Sequence, residues 1–82
     1  MNLDKLRERL RRQPFKPFRV HLSDGKSYDV LHPEMLLITK TWLVIAVFDE
    51  GVKSDDYPDR EVHVSPMHVT ATEDLPHSQN AA

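Results

Sequence analysis

The chain contains no cysteine, and its only glycines in 82 residues are Gly25 and Gly51. The first absence excludes disulfides and thiol catalysis and fits a reducing compartment. The second leaves no glycine-rich phosphate loop. Long apolar runs are missing too. The longest extends from Trp42 to Phe48, far below the ~18 residues a membrane span needs. The opening residues Met1-Asn2-Leu3-Asp4 carry no apolar secretory core behind their charges. The expectation is a soluble, cytoplasmic protein without a membrane partner. The length gives one domain, read as 1–74 with a flexible tail over 75–82. A domain this small buries little surface, so oligomerisation is a natural source of extra stability.

What the sequence does have is a charge split beneath its net charge of −2. Residues 1–19 hold seven basic residues against Asp4 and Glu8, a net of +5. Residues 20–82 hold four basic residues against eleven acidic ones, a net of −7. Such asymmetry points to an anionic partner for the first segment, or to contact between the two halves within one molecule or oligomer.

Leu3, Leu6 and Leu10 recur at helical spacing and form one apolar stripe. Asn2 is a good N-cap, Asp4 suits the positive end of the helix, and Arg11 and Arg12 suit the negative end. Pro14 stops the helix and biases Gln13 away from it. The spacing predicts a helix over 2–12. Alone it is marginal, so its leucines must pack on something.

Phe18, Val20 and Leu22 then alternate with Arg19, His21 and Ser23, as in a half-buried strand. A two-residue Asp24-Gly25 hairpin would pair Leu22 with Ser27 and place polar residues on the apolar face. A three-residue loop pairs Leu22 with Lys26, Val20 with Tyr28 and Phe18 with Val30, and sets Arg19 opposite Asp29. Face matching therefore selects the longer loop, with Gly25 at positive φ in a bulge.

His32-Pro33-Glu34 interrupts the second strand, because Pro33 cannot donate to a ladder. Met35–Ile38 and Trp42–Phe48 read as strands apolar on both faces, the latter the most central. Residues 49–60 form the longest irregular stretch. Glu61–Val64 and His68–Thr72 are the closing strands, joined by a Ser65-Pro66-Met67 turn. The fold class is α+β: an N-terminal helix, then a small, strongly bent antiparallel sheet of the SH3-like or Sm-like barrel type. The expected core is Leu6, Leu10, Phe18, Val20, Leu22, Val30, Leu36, Ile38, Leu43, Ile45, Val47, Val62, Val64 and Val69.

The run Pro14-Phe15-Lys16-Pro17-Phe18-Arg19-Val20, then Leu22-Ser23-Asp24-Gly25 and His32-Pro33-Glu34, resembles a family of short bacterial proteins without assigned function. Asp59–Val64 and His68-Val69-Thr70 fit the same pattern. Val20 to Val30, with Leu22-x-Asp24-Gly25, also resembles the first half of the Sm motif, and Val62 through Val69 its closing strands. That resemblance implies a helix followed by a five-stranded barrel, assembly into rings and RNA binding. The RNA-contacting Asp and Asn of Sm-like proteins have no match in His32–Leu36, and their second basic pair has none in Val62–Pro66.

The residues themselves raise several chemistries. Five histidines raise a metal reading, but no tight ligand spacing and no HExxH motif is present. The acidic stretch 49–59 lacks the spacing of a calcium loop. Ser23, Ser27, Ser54, Ser65 and Ser78 lie in turns, turn margins or the tail, without a nucleophile-elbow context. No catalytic residue, metal ligand or cofactor is assigned. The leading expectation is a non-catalytic interaction or assembly module that self-associates, with Leu3, Leu6, Leu10 and Phe15 as partner contacts. The alternative is an RNA- or DNA-binding module in which Lys5, Arg7, Arg11, Arg12 and Lys16 track phosphates and Phe15 stacks a base.

Overall fold

The structure, a computed structural model, describes residues 2–49 and 57–76. Helix α1 spans Leu3–Arg11. Asn2 caps it: its Oδ1 accepts the Asp4 N–H at 2.8 Å. The strands are β1 (Phe18–Leu22), β2 (Ser27–Val30), β3 (Leu36–Ile38), β4 (Leu43–Val47), β5 (Arg60–Val64) and β6 (Val69–Asp74). They form two antiparallel three-stranded sheets, ordered β2-β1-β6 and β3-β4-β5. No helix among the described residues is long and apolar enough to cross a membrane.

The α+β class expected from sequence is therefore found, but as two sheets rather than one sheet closed into a barrel. The break falls at Pro33. A 3₁₀ turn over Pro33–Met35 separates β2 from β3, and a residue without an N–H cannot carry a ladder through this point. Met35 consequently belongs to that turn and not to a strand. Its side chain is nevertheless buried in the core.

The first hairpin has the register that face matching selects. Phe18 lies opposite Val30, Arg19 opposite Asp29 and Val20 opposite Tyr28. The loop closes with Leu22 N–H donating to Lys26 O at 2.9 Å and Gly25 N–H donating to Leu22 O at 3.1 Å. Gly25 has φ +89°, the conformation a three-residue bulged loop demands. Asp24 Oδ1 accepts the Lys26 N–H at 2.9 Å and holds the turn from within.

Three strand expectations shift. Trp42 and Phe48 fall outside β4. The Trp42 N–H is taken instead by Thr39 Oγ1 at 2.9 Å in the β3–β4 turn. His68 belongs to a second 3₁₀ turn, Pro66–His68, which starts where Pro66 supplies a helical φ. Strand β6 therefore begins one residue later than expected and continues past Thr72 to Asp74. Its ladder with β1 slips between His21 and Leu22. Thr70 sits at this bulge, and its hydroxyl donates to His21 O at 3.2 Å.

The second sheet is also not buried on both faces. Leu36, Leu43 and Ile45 point into the core, whereas Leu37 is 61% exposed and Trp42 49% exposed. Among the described residues no element covers that outer face.

The core joins both sheets and the helix. Leu6, Phe18, Val20, Leu22, Val30, Met35, Leu36, Leu43, Ile45, Val64 and Val69 are its buried members. Leu10, Ile38, Val47 and Val62, expected as core, pack against it half-buried. Fully burying a leucine such as Leu6 contributes roughly 2 kcal/mol. That attaches a helix too short to persist alone.

Candidate functional site

The two sets of site residues proposed from sequence sit on or beside α1. Of the partner-contact set, Leu6 is fully buried within this chain, while Leu3, Leu10 and Phe15 pack partly against the same core. Phe15 lies 6.1 Å from the Phe18 ring centroid at an interplanar angle of 57°. The apolar stripe of the helix is thus largely taken up inside the molecule.

Of the basic set, Lys5, Arg11 and Arg12 are exposed, and Arg7 and Lys16 are half-buried. Arg7 donates to Asp4 Oδ1 at 3.2 Å, so it is already paired within its own helix. Two open grooves collect all of these side chains except Lys16. One is lined by Lys5, Glu8, Arg9, Arg12 and Thr72. The other is lined by Asp4, Arg7, Glu8, Arg11 and Arg12. Glu8 and Arg12 belong to both, so each groove mixes charge signs.

Arg9 was not singled out from sequence, and its role is structural. Its guanidinium pairs with Asp74 at the end of β6 and lies 5.2 Å from the centroid of the Phe18 ring. A cation over a ring face gains from the ring quadrupole. The Arg9 hydrogen bond, and then its charge, hold the Asp74 carboxyl below the usual carboxylate range. The +5 segment is therefore tied to the acidic domain within one chain at this point.

The outer face of β2-β1-β6 is polar. Arg19 pairs with Asp29, and His21 Nε2 lies 2.9 Å from Glu73 Oε1. Arg19 also stands opposite Glu73 across β1–β6. The Asp29 hydrogen bond, and then its charge, raise the Arg19 pKa above its ordinary value.

The other two grooves flank Tyr28. The first has a volume of about 430 Å³, with Arg19, Asp29, Met35, Phe48, Asp49 and Arg60 among its lining. Arg60 donates to Asp49 Oδ1 at 3.1 Å, and Asp49 N–H donates to Asp59 Oδ2 at 2.8 Å. These bonds close the two ends of the acidic stretch. Its middle, residues 50–56, on which the calcium question turns, lies outside the described residues.

The second groove, about 450 Å³, runs along β5 and is lined from both sheets, by Leu22, Lys26, Tyr28, Trp42, His63 and His68 among others. Both are open grooves rather than enclosed cavities. Ser23 Oγ lies 3.3 Å from His68 Nδ1, and Ser23 N–H donates to His68 O at 2.8 Å. This double contact fastens the hairpin loop to the second 3₁₀ turn.

Among the described residues no polar or charged side chain is buried, and no group of three or more His, Asp or Glu is placed to hold a metal ion. The feature that sequence reasoning missed is the uncovered outer face of β3-β4-β5. Its signal was the doubly apolar pattern of Leu36-Leu37-Ile38, read as burial on both sides. Comparisons with protein-family models, with curated proteins and with solved structures return no match.

Proposed function

We propose that this chain is a non-catalytic interaction module that associates with further copies of itself. The observation carrying this reading is the exposure of Leu37 on β3 and of Trp42 in the turn that joins β3 to β4, both large apolar side chains. Exposed apolar patches rimmed by polar residues mark interaction surfaces.

At the level of fold, the proposal is an SH3-like or Sm-like arrangement. Two features support it: β1 sits between β2 and β6, and a 3₁₀ turn precedes β6. In this reading β2 and β3 are the two halves of one bent strand, interrupted at Pro33. Sedimentation velocity from micromolar to millimolar protein tests self-association. A weight-average mass that stays at the monomer value throughout removes the reading.

A second reading, nucleic-acid binding by α1, draws support from Lys5 and Arg11 on the helix and Arg12 at its C-cap, all of which remain exposed. Fluorescence anisotropy with a labelled single-stranded oligonucleotide at low salt tests it. Binding must weaken steeply with salt and with R11E and R12E. Absence of binding at low salt ends this alternative.

A further inference from the structure

We infer that the second copy docks on the outer face of β3-β4-β5, in a two-fold arrangement that sets Lys40 of each copy over Glu61 of the other. This rests on the self-association proposed above and names its surface and geometry.

The register defines the face. Leu37 pairs with Val44, and Val44 with His63, so these three side chains form one row across the sheet. Two residues along β4 the same face carries Ala46, which pairs with Glu61. Val44 and Ala46 are half-buried, whereas Leu37, His63 and Glu61 are exposed. Trp42, in the β3–β4 turn and 49% exposed, lines the groove at the β5 edge together with His63 and Ser65, and with Leu22 and Tyr28 of the other sheet.

The charges sit at the two ends of this face. Lys40 occupies the β3–β4 turn, beyond Trp42, where Thr39 N–H donates to Trp42 O at 2.9 Å. Glu61 lies at the other end, with its Oε1 3.8 Å from His63 Nε2. About five residues of strand separate the ends, or roughly 17 Å. Among the described residues the face therefore has Leu37, Val44, Ala46 and His63 at its centre, with a cation at one end and an anion at the other.

Such a face is complementary to itself. An isologous contact applies one patch to its own copy. A two-fold axis lying in the interface and crossing the strands brings Lys40 over Glu61 twice. An axis along the strands would instead set Lys40 over Lys40 and Glu61 over Glu61, which like-charge repulsion disfavours. The charge pattern thus selects both the occupant and the orientation. A patch of this kind offers a few hundred Å², below the ~800 Å² per partner of a standard stable interface. The dimer accordingly falls in the weak, transient class of interfaces.

Sedimentation equilibrium on the full chain, with K40E, E61K, the double swap K40E/E61K, and L37K, tests the inference. Each single reversal puts like charges together at both ends of the two-fold pair. We expect each to weaken association at least tenfold, the double swap to restore it, and L37K to abolish it. Far-UV circular dichroism checks that the variants stay folded, which the exposure of all three positions favours. If the wild type is monomeric at every concentration, both the self-association reading and this face are wrong. If the wild type associates but the single reversals and L37K leave it unchanged, this face is wrong and the general reading stands. If the singles weaken association and the double swap does not restore it, the crossed two-fold arrangement is wrong.

Discussion

Arg19 and Asp29 face each other across the first hairpin in a two-point contact, Nε to Oδ1 at 2.6 Å and a terminal guanidinium nitrogen to Oδ2 at 3.2 Å. The pair exists because a three-residue loop sets the register. A slip by one residue would set Asp29 opposite Val20 on the core face and leave Arg19 on the outer face without it. It sits on an exposed face, so its energetic weight is small and its value is as a marker of register. D29N is expected to lower the midpoint of thermal unfolding slightly at low salt. That difference should vanish in ~1 M salt, where the Debye length is about 3 Å. A deficit independent of salt would mean that Asp29 acts other than by charge.

Gly25 is the position on which that loop depends. A Cβ placed there meets nothing within 4 Å, yet φ is +89°. The cost of a side chain is therefore backbone strain alone. Gly25→Ala is expected to destabilise by about 1 kcal/mol, and Gly25→Asn by less, because asparagine tolerates the left-handed region. Urea unfolding of both variants decides this. Equal stability of wild type and the alanine variant would place the loop in another conformation in solution.

Leu6 is the anchor of α1. It is fully buried, while Leu3 and Leu10 on the same stripe are only half-buried. Leu6→Ala is expected to cost about 3 kcal/mol, and Leu3→Ala clearly less. Denaturant midpoints of the two variants, with helical content followed by circular dichroism, give the comparison. Similar losses at the two sites would mean that the helix does not pack through Leu6.

These elements differ in how far the sequence reveals them. The hairpin register was legible because alternation of Phe18, Val20 and Leu22 admits one loop length only. The helix was legible because its cap, its leucine stripe and its stop signal at Pro14 agree. The division into two sheets was not. Pro33 announces an interruption, but whether the chain bends through it or breaks depends on tertiary packing, and Met35 shows the outcome by turning into the core outside any strand. The open face was misread for a related reason. Leu37 and Val44 lie in doubly apolar strands, and an apolar side chain left exposed looks the same in sequence as one buried within the fold. Arg9 was hidden among four other arginines of the first segment, because its distinction is the proximity of Asp74, 65 residues away.

The Arg9–Asp74 pair gives the fold a pH dependence whose sign follows from Asp74. Its carboxyl is held below the usual range, first by the Arg9 hydrogen bond and then by the charges of Arg9, Arg12 and Lys16. A group whose pKa is depressed on folding stabilises the fold above its unfolded value, near pH 4. That contribution is lost as pH falls through the lower folded value. D74N removes it at every pH. Wild type and D74N are therefore expected to differ in urea midpoint at neutral pH and to converge as pH falls from about 4 to about 2. R9Q should close the same gap from the other partner, since it returns Asp74 toward its ordinary range. The pair is exposed to solvent, so the gap should also narrow with salt. A gap that persists unchanged at the lowest pH would show that Asp74 holds the end of β6 by shape rather than by charge, and that the basic helix is not tied to the acidic domain at this point.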